Sequence, residues 1–205
     1  MKTIFKNIQG DSVIWAIIGV LAIFSFLPVY SASSNLAYLY GDGNTFKFLA
    51  KHFAHLVLGF GILYGVHKIP YHYFRGLSMI ALPIVVVLLL ITMAQGTTIG
   101  GANASRWIRV PLVGVTFQTS TLAAVVLMTY VARYLSTIES KLISFKETLL
   151  PLWLPVFLII GLILPANFST AAIIFAMVVL LVFIGGYPFR YLAIILTTWL
   201  LLLSL

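Results

Sequence analysis

Thr148 to Phe189 reads TLLPLWLPVFLIIGLILPANFSTAAIIFAMVVLLVFIGGYPF, 42 residues without a single charge. A membrane-crossing helix needs about 20 apolar residues, so the stretch holds two. Pro165-Ala166-Asn167 is the natural break between them. The apolar residues run continuously instead of alternating, which selects helices over a closed barrel as the way to pair backbone groups in lipid. The rest of the chain agrees. Of its 205 residues 62% are hydrophobic and 8% charged, with a mean hydropathy of +1.13. A soluble domain carries about 25% charged residues. Too little polar surface exists here to coat a globule in water, and the expected class is an all-α polytopic integral membrane protein.

Working outward, the expected spans are 13–30, 48–66, 77–94, 113–132, 149–164, 169–186 and 191–205, in a single transmembrane domain covering 1–205. Ser31-Ala32-Ser33 resembles a signal-peptide cleavage site, but the run Val13–Val29 exceeds the usual h-region of about 7–15 residues. It is read as an uncleaved first span. Ser31 to Phe46, centred on Gly41-Asp42-Gly43-Asn44, is expected to be an external loop. Pro83 lies inside the third span and is expected to kink it. Gly61 and Gly65 form a small-xxx-small pair that either admits a neighbouring helix or reflects chance. The last run has 15 residues, short of a full span, and the chain therefore reads as the N-terminal part of a longer protein.

The net charge of +8 sits between apolar segments, in no basic run longer than two, and points to lipid and topology instead of nucleic acid. With the N-terminus inside, the inner segments hold Lys2, Lys6, Lys68, Arg75, Arg133, Lys141, Lys146 and Arg190. The outer segments hold Lys47, Lys51, Arg106 and Arg109. Eight against four satisfies the positive-inside rule and makes the N-terminus cytoplasmic. Cysteine is absent, which removes disulfides and thiolate metal sites.

Arg106 and Arg109 stand on the outer side against that rule. Guanidinium suits bidentate phosphate recognition, and no acidic residue occurs between Asp42 and Glu139 to neutralise either one. Contact with lipid headgroups is the equal alternative. Gln118, Thr119, Ser120 and Thr121 either hydrogen-bond across helices or line a cavity. Asn167, Ser169 and Thr170 admit the same two readings, with Ser169 or Thr170 as helix cap. Lys51 and His52 fit snorkelling at the head of the second span, and His52 with His55 has the spacing of a weak metal pair. G-x-S-x-G, H-E-x-x-H and phosphate-loop motifs are absent. The outer segments offer only Asp42 as a carboxylate, in a glycine-rich loop unsuited to holding a general base.

Asn103-Ala-Ser-Arg-Trp-Ile108, followed by Gln118-Thr-Ser120, resembles the "GA-x-RW-I … Q-P-S-E" signature of the SEDS family, the FtsW, RodA and SpoVE group. Phe48-Leu-Ala-Lys51-His52 is similar to the family's "F-L-K-R". Asn167-Phe-Ser-Thr170-Ala171 is similar to "P-D-L-G-T-A", and Phe183-Ile-Gly-Gly186 to "F-L-A-G". The likeness covers essentially the whole chain and is nearest to the cell-division branch. It implies a ten-helix fold, of which about six and a half helices lie here. It implies a peptidoglycan glycosyltransferase in the bacterial inner (cytoplasmic) membrane that polymerises lipid II, with undecaprenyl pyrophosphate leaving. Further implications are a divalent cation, Mg or Mn, with unplaced ligands, a class B penicillin-binding protein transpeptidase and other divisome partners, and contact with membrane lipids. The family's catalytic aspartate is expected in an external loop beyond Leu205, so no catalytic residue is expected in this chain. The substrate-binding set carried over is Arg106, Arg109, Lys51, Trp107, Gln118, Ser120, Asn167 and Thr170. A lipid-linked precursor transporter and a divisome scaffold are the alternative functions. Departures are specific: Thr121 and Ala124 stand for the family's Glu and Lys, Asn167 for its Asp and Ser169 for its Gly.

Overall fold

The computed structural model describes residues 10–40, 44–95, 98–99, 102–103, 107–109, 116–138 and 144–204. They form nine α-helices, one π-helical turn and two short β-hairpins. Five helical stretches are long and apolar enough to cross a membrane: Ser12–Ser34, Thr45–Val66, His72–Ala94, Thr119–Ile138 and Phe145–Ile163. A shorter apolar helix, Phe168–Ile184, follows. The all-α membrane class expected from composition is the class observed. The chain falls into two compact units, Met1–Pro70 and Tyr71–Leu205.

In the first unit, α1 (Ser12–Phe24) is capped by Asp11, whose Oδ1 accepts from the Val13 amide at 2.8 Å. It breaks for one residue at Ser25 before α2 (Phe26–Tyr40). Pro28 explains the position of the break: it lacks the N–H that would bond the Phe24 carbonyl, and its ring crowds that turn. The helix then continues to Tyr40, where a loop from Ser31 was expected. Serine hydroxyls permit this by folding back, Ser33 donating to the Tyr30 carbonyl at 3.2 Å and Ser34 to Ser31 at 2.8 Å. Helix α3 (Thr45–Val66) starts at Asn44, whose side chain accepts from the Phe46 amide. Its Gly61 and Gly65 face open space, with nothing within 4 Å of an added Cβ. Among the described residues, no helix uses their small size.

In the second unit, α4 (His72–Gln95) carries Pro83 within it. Two antiparallel hairpins follow: β1 (Thr98–Ile99) with β2 (Ala102–Asn103), and β3 (Trp107–Arg109) with β4 (Thr116–Gln118). Because β4 takes 116–118, α5 begins at Thr119 and runs to Ile138, later than the 113–132 expected. Thr119, Ala123, Val126, Leu127, Val131 and Leu135 recur at three- and four-residue spacing and form one buried stripe.

Helix α6 (Phe145–Thr148) runs through a π-helical turn at Leu149–Trp153 into α7 (Leu154–Ile163). Two prolines explain the irregularity. Pro155 offers no N–H to the Pro151 carbonyl, and Tyr130 Oη from α5 donates to that carbonyl at 2.7 Å instead. Helix α8 (Phe168–Ile184) ends in a Schellman arrangement. The Tyr187 amide donates to Val182 and the Gly186 amide to Phe183, and Gly186 takes φ +77, which a side chain disfavours. Helix α9 (Phe189–Ser204) docks through Leu192, Ile195 and Trp199, the last 4.6 Å from the Phe175 ring centroid. The core is the joint inner face of α4, α5, α7, α8 and α9, with Trp153 at 0% exposure.

Candidate functional site at the start of α5

The hairpin β3–β4 decides how the sequence-predicted residues meet. Its register pairs Trp107 with Gln118, Ile108 with Phe117 and Arg109 with Thr116. Two motifs separated by ten residues are therefore adjacent on one ladder, and that ladder runs directly into the first turn of α5. The backbone of Trp107 and Arg109 is thus paired with the strand that leads into α5, whose N-terminus carries about half a positive charge from the helix dipole. Arg106 itself lies outside the described residues, as does Asp42.

Beneath the hairpin the polar residues of α5 are largely spent on packing. Thr121 Oγ1 donates to Gln118 Oε1 at 3.2 Å. Thr119 and Thr92 hydroxyls are hydrogen-bonded across α5 and α4 at 3.2 Å. Ser120 is 2% exposed, and its Oγ has no hydrogen-bond partner among the described residues. It lines a space of about 10 Å³ with Thr92, Thr119 and Ala166. That volume accommodates roughly one water and neither a sugar ring nor a phosphate. Thr119 therefore takes the interhelical one of the two readings left open by sequence, and Ser120 sits within the helix contact.

At the α7–α8 break, Asn167 is the cap, where Ser169 or Thr170 was expected. Its Oδ1 accepts from the Thr170 amide at 3.2 Å and its Nδ2 donates to Thr170 Oγ1. The two predicted residues are thus brought together, each by the other. In the first unit, Lys51 is exposed on α3 and its carbonyl accepts from His55 Nδ1 at 2.6 Å. His52 Nε2 lies 2.8 Å from Ser25 Oγ, and its ring meets Phe26 edge-on at 5.1 Å. Both ring systems have local partners of ordinary helix-packing type. Among the described residues no three His, Asp or Glu side chains converge. The described residues do not fit the donor set of a divalent cation.

Sequence reasoning missed a buried polar knot. Thr148 Oγ1 and Tyr187 Oη are 2.6 Å apart, and Trp153 Nε1 donates to the same phenol at 3.4 Å. Its members lie 34 and 39 residues apart, with no sequence signal beyond the polarity of Thr148. It also missed a cationic pocket between Arg75 and Arg133.

The class defined by these elements is a polytopic α-helical membrane protein with a basic β-hairpin set at the head of a central helix. The family model for the cell cycle proteins FtsW, RodA and SpoVE matches residues 11–205, and the chain belongs to that family. A probable peptidoglycan glycosyltransferase FtsW from Marinomonas mediterranea is 27% identical over 207 residues, covering 95% of this chain and 49% of the relative. One from Geobacter sulfurreducens is 32% identical over 185 residues, covering 88% and 48%. The chain spans about half the length of the curated relatives it matches. A chain solved in work on a peptidoglycan synthase complex that coordinates polymerization and crosslinking superposes with a TM-score of 0.59 at 22% identity. That match covers 88% of this chain and 52% of the other, and it shows the shared fold.

Proposed function

We propose that the protein is a peptidoglycan glycosyltransferase of the bacterial cytoplasmic membrane, polymerising lipid II into glycan strands during cell division. Undecaprenyl pyrophosphate is the leaving group. The observation that carries the reading is the ladder register Trp107↔Gln118, which joins the specific S-R-W-I segment to the Q-T-S segment at the head of α5. Arg106 and Arg109 are assigned to the pyrophosphate of the lipid-linked substrate. Charge grows on that group as the glycosidic bond breaks, and fixed cations lower the barrier by stabilising the developing charge more than the ground state. Trp107 and Gln118 orient this anion site. Ser120, Asn167 and Thr170 support it from within the bundle. The bond-making base is assigned, by family resemblance, to the aspartate of an external loop that follows the seventh span. The solved neighbour's setting in a synthase complex supports a class B penicillin-binding protein as partner.

The test is Arg106→Ala in the complete protein. Glycan polymerisation from lipid II is expected to be abolished while membrane insertion is unchanged. Undiminished lipid II turnover in that variant overturns the assignment.

A further inference from the structure

The opposite end of the second unit carries a second cationic feature. Arg75, in the first turn of α4, and Arg133, near the last turn of α5, line one pocket of about 860 Å³, together with His72, Phe74, Met128 and Leu181. Among the described residues neither guanidinium is in an ion pair, and Arg133 Nε is buried without a hydrogen-bond partner. The serine and threonine of the next turn are no substitute, because Ser136 and Thr137 hydroxyls both donate to the Arg133 carbonyl. Among the described residues no carboxylate lines the pocket. The helix dipoles nearly cancel here, the α4 N-terminus contributing roughly +0.5 and the α5 C-terminus roughly −0.5 charge. Among the described lining residues, Arg75 and Arg133 are the full charges that set the field.

The pocket's walls are unlike those of a water-facing anion site. Phe74, Met128 and Leu181 supply an apolar side, and the volume falls in the range of about 300–1,000 Å³ typical of sites for small organic ligands. Arg133 lies five positions before the α5 terminus at Ile138, roughly 7.5 Å along the axis at 1.5 Å per residue. That is the depth at which an arginine reaches a headgroup phosphate while its stem stays in hydrocarbon. The distribution of Lys and Arg assigns this end to the cytoplasmic side, where basic side chains meet anionic leaflet lipid.

We propose that the Arg75–Arg133 pocket binds the phosphate headgroup of an anionic phospholipid of the cytoplasmic leaflet, with its acyl chain along Phe74, Met128 and Leu181. The site is independent of the polymerase reading, which concerns the other end of α5. Bidentate guanidinium contacts take the phosphodiester oxygens.

The experiment is native mass spectrometry of the purified full chain in mixed micelles. The probes are phosphatidylglycerol, phosphatidylcholine and glycerol 3-phosphate, offered separately. Phosphatidylglycerol is expected to bind with a preference of roughly thirtyfold over phosphatidylcholine, as two interfacial arginines imply, and glycerol 3-phosphate is expected not to be retained. Arg75→Gln with Arg133→Gln should bring the preference close to one, while Arg190→Gln on α9 should leave it. Ala132→Trp, which keeps both charges and takes up part of the pocket, should also lower it sharply. Preference retained in either pocket variant overturns the proposal. So does retention of glycerol 3-phosphate on a par with the lipid, which would make this a site for a soluble phosphate.

Discussion

The stretch Ser12–Ser34, which begins with α1, and helix α5 are both long and apolar enough to cross a membrane, yet they are used in opposite ways. The stretch Ser12–Ser34 is the more apolar of the two, and α1 contains no buried residue. Thr119–Ile138 is less apolar, and α5 buries seven, from Thr119 to Leu135. Hydropathy therefore reports compatibility with hydrocarbon and says nothing of packing. Lipid tails are as apolar as leucine, so helices in a bilayer gain little from hiding leucine against one another. What draws α4, α5, α7 and α8 together is shape and hydrogen bonding: the Thr92–Thr119 pair, the Tyr130 bond to Pro151, and the Thr148–Tyr187–Trp153 knot.

That contrast has its largest expected consequence at Trp153. The ring is fully buried beside Phe157 and edge-on to Tyr187. Trp153→Ala leaves a cavity and removes a donor, and should destabilise the second unit by about 3 kcal/mol, the lower end of the usual range. Leu21→Ala in α1, at 63% exposure, should cost less than about 0.5 kcal/mol. Denaturant titration in mixed micelles compares the two. Equal losses would break the distinction between the units.

Next in size is Tyr130→Phe, which strands the Pro151 carbonyl and should cost about 1.5 kcal/mol. The size of that cost should depend on Pro155. In Pro155→Ala the chain regains the N–H that the Pro151 carbonyl lacks, so adding Tyr130→Phe to that background should cost markedly less. A double-mutant cycle measures the difference. Strict additivity would mean that the tyrosine is not replacing the missing backbone donor.

The helical passes were legible in the sequence because length, continuity and lack of charge are read without any partner. The S-R-W-I and Q-T-S motifs were legible as separate pieces. Their adjacency was not, since the register Trp107↔Gln118 depends on a β-ladder too short to announce itself by alternation. Ser31 to Tyr40 was misread because serine is ambiguous between loop and helix until its hydroxyl is seen to bond back to the preceding turn. The Arg75–Arg133 pocket joins positions far apart on α4 and α5, and singly placed arginines look identical whether they face lipid or one another. Thr119 stands out by polarity, and Ser120 and Asn167 by polarity and motif likeness, neither of which distinguishes a ligand contact from a helix contact or a cap.

The smallest effect expected is also the one with a change of sign. Gly61 in α3 has helical backbone and open space where a Cβ would sit, whereas Gly186 after α8 holds φ +77. Gly61→Ala should be neutral or stabilising by up to about 1 kcal/mol, because alanine loses less backbone freedom on forming a helix. Gly186→Ala should destabilise by about 1 kcal/mol, because the left-handed conformation is strained for any residue with a Cβ. It cannot relax by leaving that conformation without breaking the bonds from the 186 and 187 amides to Phe183 and Val182, which bring the Tyr187 phenol to Thr148. The same substitution at the two sites is read in one titration series. Destabilisation at Gly61 as large as at Gly186 would mean that α3 has a close neighbour, and that the difference in packing between the two units is smaller than their buried residues indicate.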